Sequence, residues 1–154
     1  MAMKLASTDG QSLELTILGY QFPHLETKEY DSNWLIVAGS VIHPRGSWQF
    51  ADPCLLTYEA EWLAAWMDAL AEGSPPAATI GFIEPNLAFG VGFNTKGPLL
   101  RVYFELEARP SWESSAPAGE KDIWVEFPIE ELDLRSAARQ WRAELAAYPQ
   151  RASR

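Results

Sequence analysis

Between Thr79 and Glu107 the chain carries three alternating apolar runs with only turns between them. They are Ile80–Phe82, then Leu87, Phe89, Val91 and Phe93, then Leu100, Val102, Phe104 and Leu106. Residues two apart project to the same face of a strand, so each run has one face to bury. Parallel pairing of neighbouring strands needs a crossover of a dozen or more residues, usually a helix, and no such stretch separates these runs. Asn94 to Pro98 contains a glycine and a proline and reads as a turn. This part of the chain therefore folds as antiparallel β-structure.

The rest of the sequence extends the pattern. Leu13, Leu15 and Ile17 alternate with Glu14 and Thr16, which marks a half-buried strand that Pro23 ends. His24 to Asn33 is polar and reads as a loop. Trp34 to Ile42 is a second strand. Arg45-Gly46-Ser47 forms a hairpin turn, with Trp48, Phe50 and Leu55 returning along it. A helix follows near 57–72: Thr57 is placed to cap it, Glu59 and Glu61 lie in its first turn, and Leu63, Trp66, Met67 and Leu70 make one apolar stripe. Gly73 and Ser74-Pro75-Pro76 stop it. Ile123, Val125 and Phe127 form a last strand. A second helix near 131–148 buries Leu134, Ala138, Trp141, Leu145 and Tyr148, with Glu131 and Arg135 as a favourable i, i+4 pair. The order is strands, helix, strands, helix. It predicts an α+β fold, a mostly antiparallel β-sheet of about six to eight strands with two main helices. No linker divides the chain, so residues 1–154 are expected to form a single domain. Its ends, about 1–10 and 150–154, are expected to be flexible, and the Pro-, Ser- and Ala-rich segment 110–119 to be a mobile loop.

Charge limits what such a domain binds. The 154 residues hold 21 acidic and 12 basic side chains, a net charge of −9. Nucleic acids and anionic membranes require clustered Lys and Arg, so both are excluded as partners. No segment reaches the ~20 apolar residues of a membrane span, and the first residues hold no signal-peptide core, which makes the cytoplasm the expected location. The one cysteine, Cys54, excludes an internal disulfide.

Chemistry-bearing patterns are sparse. Gly90-Val91-Gly92 lies inside a strand with no helix after it, which is the wrong context for a phosphate-binding loop. His24 and His43 are the two histidines, and neither has a second ligand at metal-binding spacing. Cys54 sits in apolar Pro53-Cys54-Leu55-Leu56, where a thiol behaves as a small hydrophobe, although a hairpin could bring His43 towards it. Glu105 and Glu107 read as one strand face flanked by Arg101 and Arg109. No catalytic, cofactor-binding or metal-binding residue is assigned, and no cofactor is expected.

The acidity is uneven. Residues 57–72 hold Glu59, Glu61, Asp68 and Glu72 without a single cation, and 111–128 hold Glu113, Glu120, Asp122 and Glu126 against Lys121 alone. Glu59, Glu61, Asp68, Glu72, Glu113, Glu120 and Asp122 are therefore the expected contact residues for a cationic partner.

Asp31-Ser32-Asn33-Trp34-Leu35-Ile36-Val37, the Cys54-Leu55-Leu56-Thr57 entry to a helix with Glu61-Trp62-Leu63 and Trp66, and Phe82-Ile83-Glu84-Pro85-Asn86-Leu87-Ala88-Phe89 resemble segments of the WapI-type bacterial immunity proteins. Tyr148-Pro149-Gln150-Arg151 is similar as well, so the likeness spans about residues 13–151. The resemblance implies a small cytoplasmic protein that binds and neutralises a cognate toxin domain, basic and often a nuclease, encoded in its own lineage. It does not say whether Asp31, Asn33, Trp34, Glu84 and Asn86 are scaffold or contact residues.

Three function classes follow. The first is a non-enzymatic immunity protein. The second is a small-molecule binder or enzyme with a pocket lined by aromatic and carboxylate side chains. The third is a self-associating structural protein with an exposed aromatic face.

Overall fold

A computed structural model of the chain describes residues 2–25, 29–74, 77–113 and 123–152. Two four-stranded antiparallel sheets and two helices make an α+β fold. The first sheet is the meander β1 (Met3–Ala6), β2 (Ser12–Tyr20), β3 (Trp34–Ile42) and β4 (Trp48–Leu56). Helix α1 (Thr57–Ala71) follows β4 without a loop. The second sheet is the meander β5 (Thr79–Ile80), β6 (Leu87–Asn94), β7 (Gly97–Phe104) and β8 (Ile123–Pro128), and α2 (Leu134–Leu145) comes last.

Alternation decides which side chains go inside. Leu13, Leu15 and Ile17 of β2, Leu35 and Val37 of β3, and Trp48 and Phe50 of β4 are buried from the first sheet. Leu87 and Phe89 of β6, Leu100, Val102 and Phe104 of β7, and Val125 and Phe127 of β8 are buried from the second. Together with Leu63, Trp66 and Met67 of α1 and Trp141 of α2 they form one core cluster. The buried indoles also satisfy backbone carbonyls. Trp141 Nε1 donates to Ala60 O at 2.8 Å, Trp66 Nε1 to Ala77 O at 2.8 Å, and Trp48 Nε1 to Ala108 O at 3.0 Å. Each bond ties two segments together where an unpaired donor would cost about 1–3 kcal/mol.

Phe50 lies across Gly39, its cross-strand partner. A Cβ at position 39 would stand 2.2 Å from Phe50 Cζ. Gly39→Ala is therefore expected to cost about 2–3 kcal/mol, because the ring cannot move without disturbing the core. A fall of roughly 5–10 °C in Tm by circular dichroism would show it.

Several boundaries differ from the sequence expectation. Residues 3–6 are not a loose end: they pair with Leu15 to Ser12 as an edge strand. Thr57 does not cap α1, since it lies in the first turn and its Oγ1 donates to Asn33 Oδ1 at 3.1 Å. Helix α2 begins at Leu134, where Asp133 Oδ1 accepts from Ser136 N at 3.0 Å as an N-cap. Glu131 precedes it in a 3-10 turn, and its carboxylate takes the Thr8 N–H and hydroxyl, both at 2.7 Å, instead of facing Arg135 along a helix. Tyr148 lies past α2 and meets Tyr20 edge to face.

The tail is also pinned. Asn33 is fully buried. Its Oδ1 accepts from Arg151 N (2.7 Å) and Ala152 N (3.3 Å), and its Nδ2 donates to Ala152 O (3.0 Å). Arg151 covers the Tyr20 ring and donates to the carbonyls of Phe22, Pro23 and Leu25. Of the expected mobile loop, Pro110 is buried and Ser111–Glu113 is a 3-10 turn, while 114–119 lies outside the described residues.

Candidate functional site

The residues expected to face a partner are not equivalent in three dimensions. Glu59 is buried, at 1% exposure. Its Oε1 accepts from Leu56 N at 2.9 Å and its Oε2 from Ile83 N at 2.8 Å. The side chain thus closes the N-terminus of α1 and anchors the loop before β6, which leaves it no surface to offer. Asp68 is half-exposed and paired with Arg142 of α2 at 2.6 Å. Glu61 is exposed at the mouth of a cleft between the helices that also holds Tyr58, Arg142, Leu145 and Tyr148. Glu72 is exposed just past α1, and Glu113 closes the 3-10 turn that begins at Ser111. Glu120 and Asp122 lie outside the described residues.

The groups considered for chemistry are also placed. Cys54 is buried, and burial pushes its thiol up to about 12, with Asp52, Glu107 and Glu84 adding to the effect. A thiol so held is not a nucleophile at neutral pH. His43 is pushed below its usual value by burial and then by Arg45, and its Nδ1 accepts from Arg45 N at 3.1 Å. Trp34 pairs with Leu56 and Val41 with Trp48, so Cys54 and His43 stand at opposite ends of the hairpin. At ~3.3 Å per residue they are roughly 25 Å apart, too far to act together. Among the described residues, no group of three or more His, Cys, Asp or Glu side chains is arranged to hold a metal ion.

The expected charged face on β7 is absent. The strand ends at Phe104, and Leu106–Ala108 is a 3-10 turn. Arg109 is buried and makes a forked pair with Glu105, its Nη2 reaching Oε2 at 3.0 Å. Arg101 pairs instead with Glu126 of β8 at 2.7 Å.

Five segments meet where the two sheets come together and build a cleft of about 370 Å³. Gln21 and Phe22 follow β2, Asp31 and Trp34 enter β3, Asp52 and Pro53 come from β4, Glu84 precedes β6, and Leu106 and Glu107 follow β7. Four carboxylates, Asp31, Asp52, Glu84 and Glu107, line it with no lysine or arginine among the lining residues. A register shift between Leu35 and Ile36 of β3, opposite Leu55 and Pro53, helps turn Asp52 into place. Pro53 is tolerated because β4 is an edge strand of its sheet.

Behind two of the lining carboxylates lies Asn86, fully buried. Its Nδ2 donates to Asp52 Oδ2 at 3.1 Å and to Glu107 Oε2 at 3.2 Å, holding two like charges side by side. Its Oδ1 is buried and finds no hydrogen-bond partner among the described residues. Burial raises the Asp52 carboxyl above its usual value, Glu107 and then Glu84 raise it further, and the Asn86 bond opposes them.

The sign of that shift sets a pH dependence. Folded Asp52 holds its proton more tightly than unfolded Asp52, so its contribution to stability is fully present below the unfolded value of 3.8 and is lost as pH rises through the raised folded value. Asp52→Asn is expected to stabilise the protein slightly at pH 7, because it removes a charge that burial and Glu107 disfavour while its amide oxygen still accepts from Asn86. Thermal melts should show the gain shrinking as pH falls below about 4.

The rim is apolar. Phe22 and Leu106 are 39% and 44% exposed, and Tyr30 and Ile83 stand exposed beside Asp31 and Glu84 in sequence. Leu106 has φ 52°, a left-handed conformation that costs a β-carbon residue roughly 1–2 kcal/mol. Such strain concentrates where surrounding structure enforces it for function.

Neither Asp52 nor Glu107 stands out in the sequence as a site residue. Pro53 within an apolar run is the one local signal, since it marks an edge or a bulge. Trp34 at the cleft donates Nε1 to Asp31 at 3.3 Å. Asn33 is scaffold, Asn86 is a buried support for Asp52 and Glu107, and Asp31 and Glu84 are lining residues.

No helix among the described residues is long and apolar enough to cross a membrane. No curated protein and no solved structure matches the chain. The family model of the WapI-like immunity proteins matches residues 4–149, nearly the whole length, in agreement with the resemblance carried by the Asp31–Val37 and Phe82–Phe89 segments. The chain belongs to the WapI-like immunity protein family.

Proposed function

We propose that this chain is a single-domain cytoplasmic immunity protein that binds a cognate bacterial toxin domain one to one and neutralises it by covering it, without catalysis of its own. The observation that carries the reading is the family match over residues 4–149. The net charge of −9 supports a basic partner, as a nuclease with a cationic substrate cleft would be. Exposed Glu61 and Glu72 are retained as acidic contact candidates on the α1 side. Glu59 is not, and Asp68 is already engaged by Arg142.

The test is protection. Cells expressing the toxin domain encoded beside this gene should stop growing, and co-expression of this protein should restore growth and yield a complex that co-purifies. Continued arrest, with no complex recovered, would reject the proposal. The cleft lined by Trp34 and four carboxylates also favours a second reading, a binder of small organic cations. That reading predicts calorimetric binding of such a cation without any protection from the toxin.

A further inference from the structure

The carboxylate cleft between the sheet ends differs from the acidic side chains that are held in ion pairs. Asp68 has Arg142, Glu126 has Arg101, Glu105 has Arg109, and Glu14 has Lys4 at 3.5 Å. The cleft between α1 and α2 contains its own cation, Arg142. Asp31, Asp52, Glu84 and Glu107 share one concavity whose lining supplies no cation, and burial with mutual repulsion raises Asp52.

A second feature marks the place independently of charge. The Asn86 side chain, fully buried, turns its Nδ2 to this cluster, and its Oδ1 has no partner among the described residues. Native proteins leave few buried acceptors orphaned. Here the buried amide fixes two carboxylates in position before anything binds, which lowers the ordering cost of recognising a cation. Around this charged floor stand Phe22, Trp34, Pro53 and the strained, half-exposed Leu106. An apolar rim around a charged floor excludes water from a seated side chain and strengthens the ionic contact within.

We infer that this cleft is the docking site for the toxin domain and that it receives an arginine side chain projecting from that partner. Arginine fits better than lysine. Its planar guanidinium has five donors for several acceptors at once, and it stacks on aromatic faces such as Trp34. Leu106 and Phe22 cover the aliphatic stem of the inserted residue. The inference rests on the immunity reading and adds to it the contact surface and the chemistry that the surface recognises.

The experiment measures the affinity of the neighbour-encoded toxin domain for the wild type and for three variants, at low and high salt. Asp52→Asn/Glu107→Gln removes two charges while keeping both acceptors of the Asn86 amide. It should weaken binding by about tenfold or more, mostly through faster dissociation, and flatten the salt dependence. Leu106→Gly removes the apolar rim and relieves the left-handed strain, so it should leave Tm unchanged or higher while still weakening binding by about tenfold. That pairing of effects separates docking from folding. Glu130→Gln, exposed and away from the cleft, should bind within about twofold of wild type, as rim and remote charges do. If the wild type binds and both cleft variants bind equally well, the docking site is elsewhere and the inference falls, while the immunity reading stands. If the wild type itself does not bind the toxin domain, the immunity reading falls and takes this inference with it.

Discussion

Glu59→Lys is expected to leave the protein unfolded, or to lower its Tm by more than about 10 °C, although the residue occupies the first turn of a helix that carries acidic side chains and no cation. The carboxylate is buried and accepts from the backbone N–H groups of Leu56 and Ile83. Lysine has no acceptor. Both amides would lose their partner, at about 1–3 kcal/mol each, and an ammonium would have to enter an apolar site, at several kcal/mol more. Glu59→Gln keeps one acceptor atom and should cost only about 1–2 kcal/mol. Thermal melts followed by circular dichroism distinguish the two. Equal, small effects would mean that the carboxylate is solvated and the helix start needs no anchor. The practical consequence is that a charge-reversal scan of α1 must omit Glu59, since its loss of binding would be a loss of folding.

Asn33→Ala carries the second large effect. One side chain holds Thr57 Oγ1 at the start of α1 and the backbone of Arg151 and Ala152. Alanine leaves the hydroxyl, two amides and one carbonyl without their partner. Partial hydration at the tail limits the penalty, which is about 3 kcal/mol, or roughly 6–12 °C in Tm. The loss should be felt locally before it is felt globally. Amide exchange at Arg151 and Ala152 should accelerate far more than exchange in β3, because the tail is held by few other bonds. Uniform acceleration across the chain would show that Asn33 supports the core rather than the tail.

Much of the architecture is legible in the sequence because the residues that make it act locally. Period-two alternation in Leu87–Phe93 and Leu100–Phe104 marks strands, short turns between them force antiparallel pairing, and Pro75-Pro76 forbids a longer α1. Element ends are less legible, because long-range partners decide them. Glu131 bonds to Thr8, more than a hundred residues away, and so leaves the helix it was expected to open. Asn33 likewise binds a tail that composition alone marks as loose. The site is the least legible part. A count of charges cannot distinguish Glu59, sealed beneath a loop, from Glu84, open to a cleft. Asp52 and Glu107 are unremarkable in sequence, and become a pair only when β4 and the turn after β7 meet over Asn86. Exposed acid on α1 is the surface that periodicity favours. The folded chain buries Glu59, pairs Asp68 with Arg142, and gathers Asp31, Asp52, Glu84 and Glu107 in one cleft at the sheet ends.

One titration tests most directly whether this chain binds a cognate toxin domain. The toxin domain encoded beside this gene, added to the purified protein in a calorimeter, should bind one to one with a Kd near 10⁻⁹ M or below, and the affinity should fall steeply as salt rises. Absence of heat at micromolar concentrations of both proteins, together with no protection of cells expressing the domain, would contradict it.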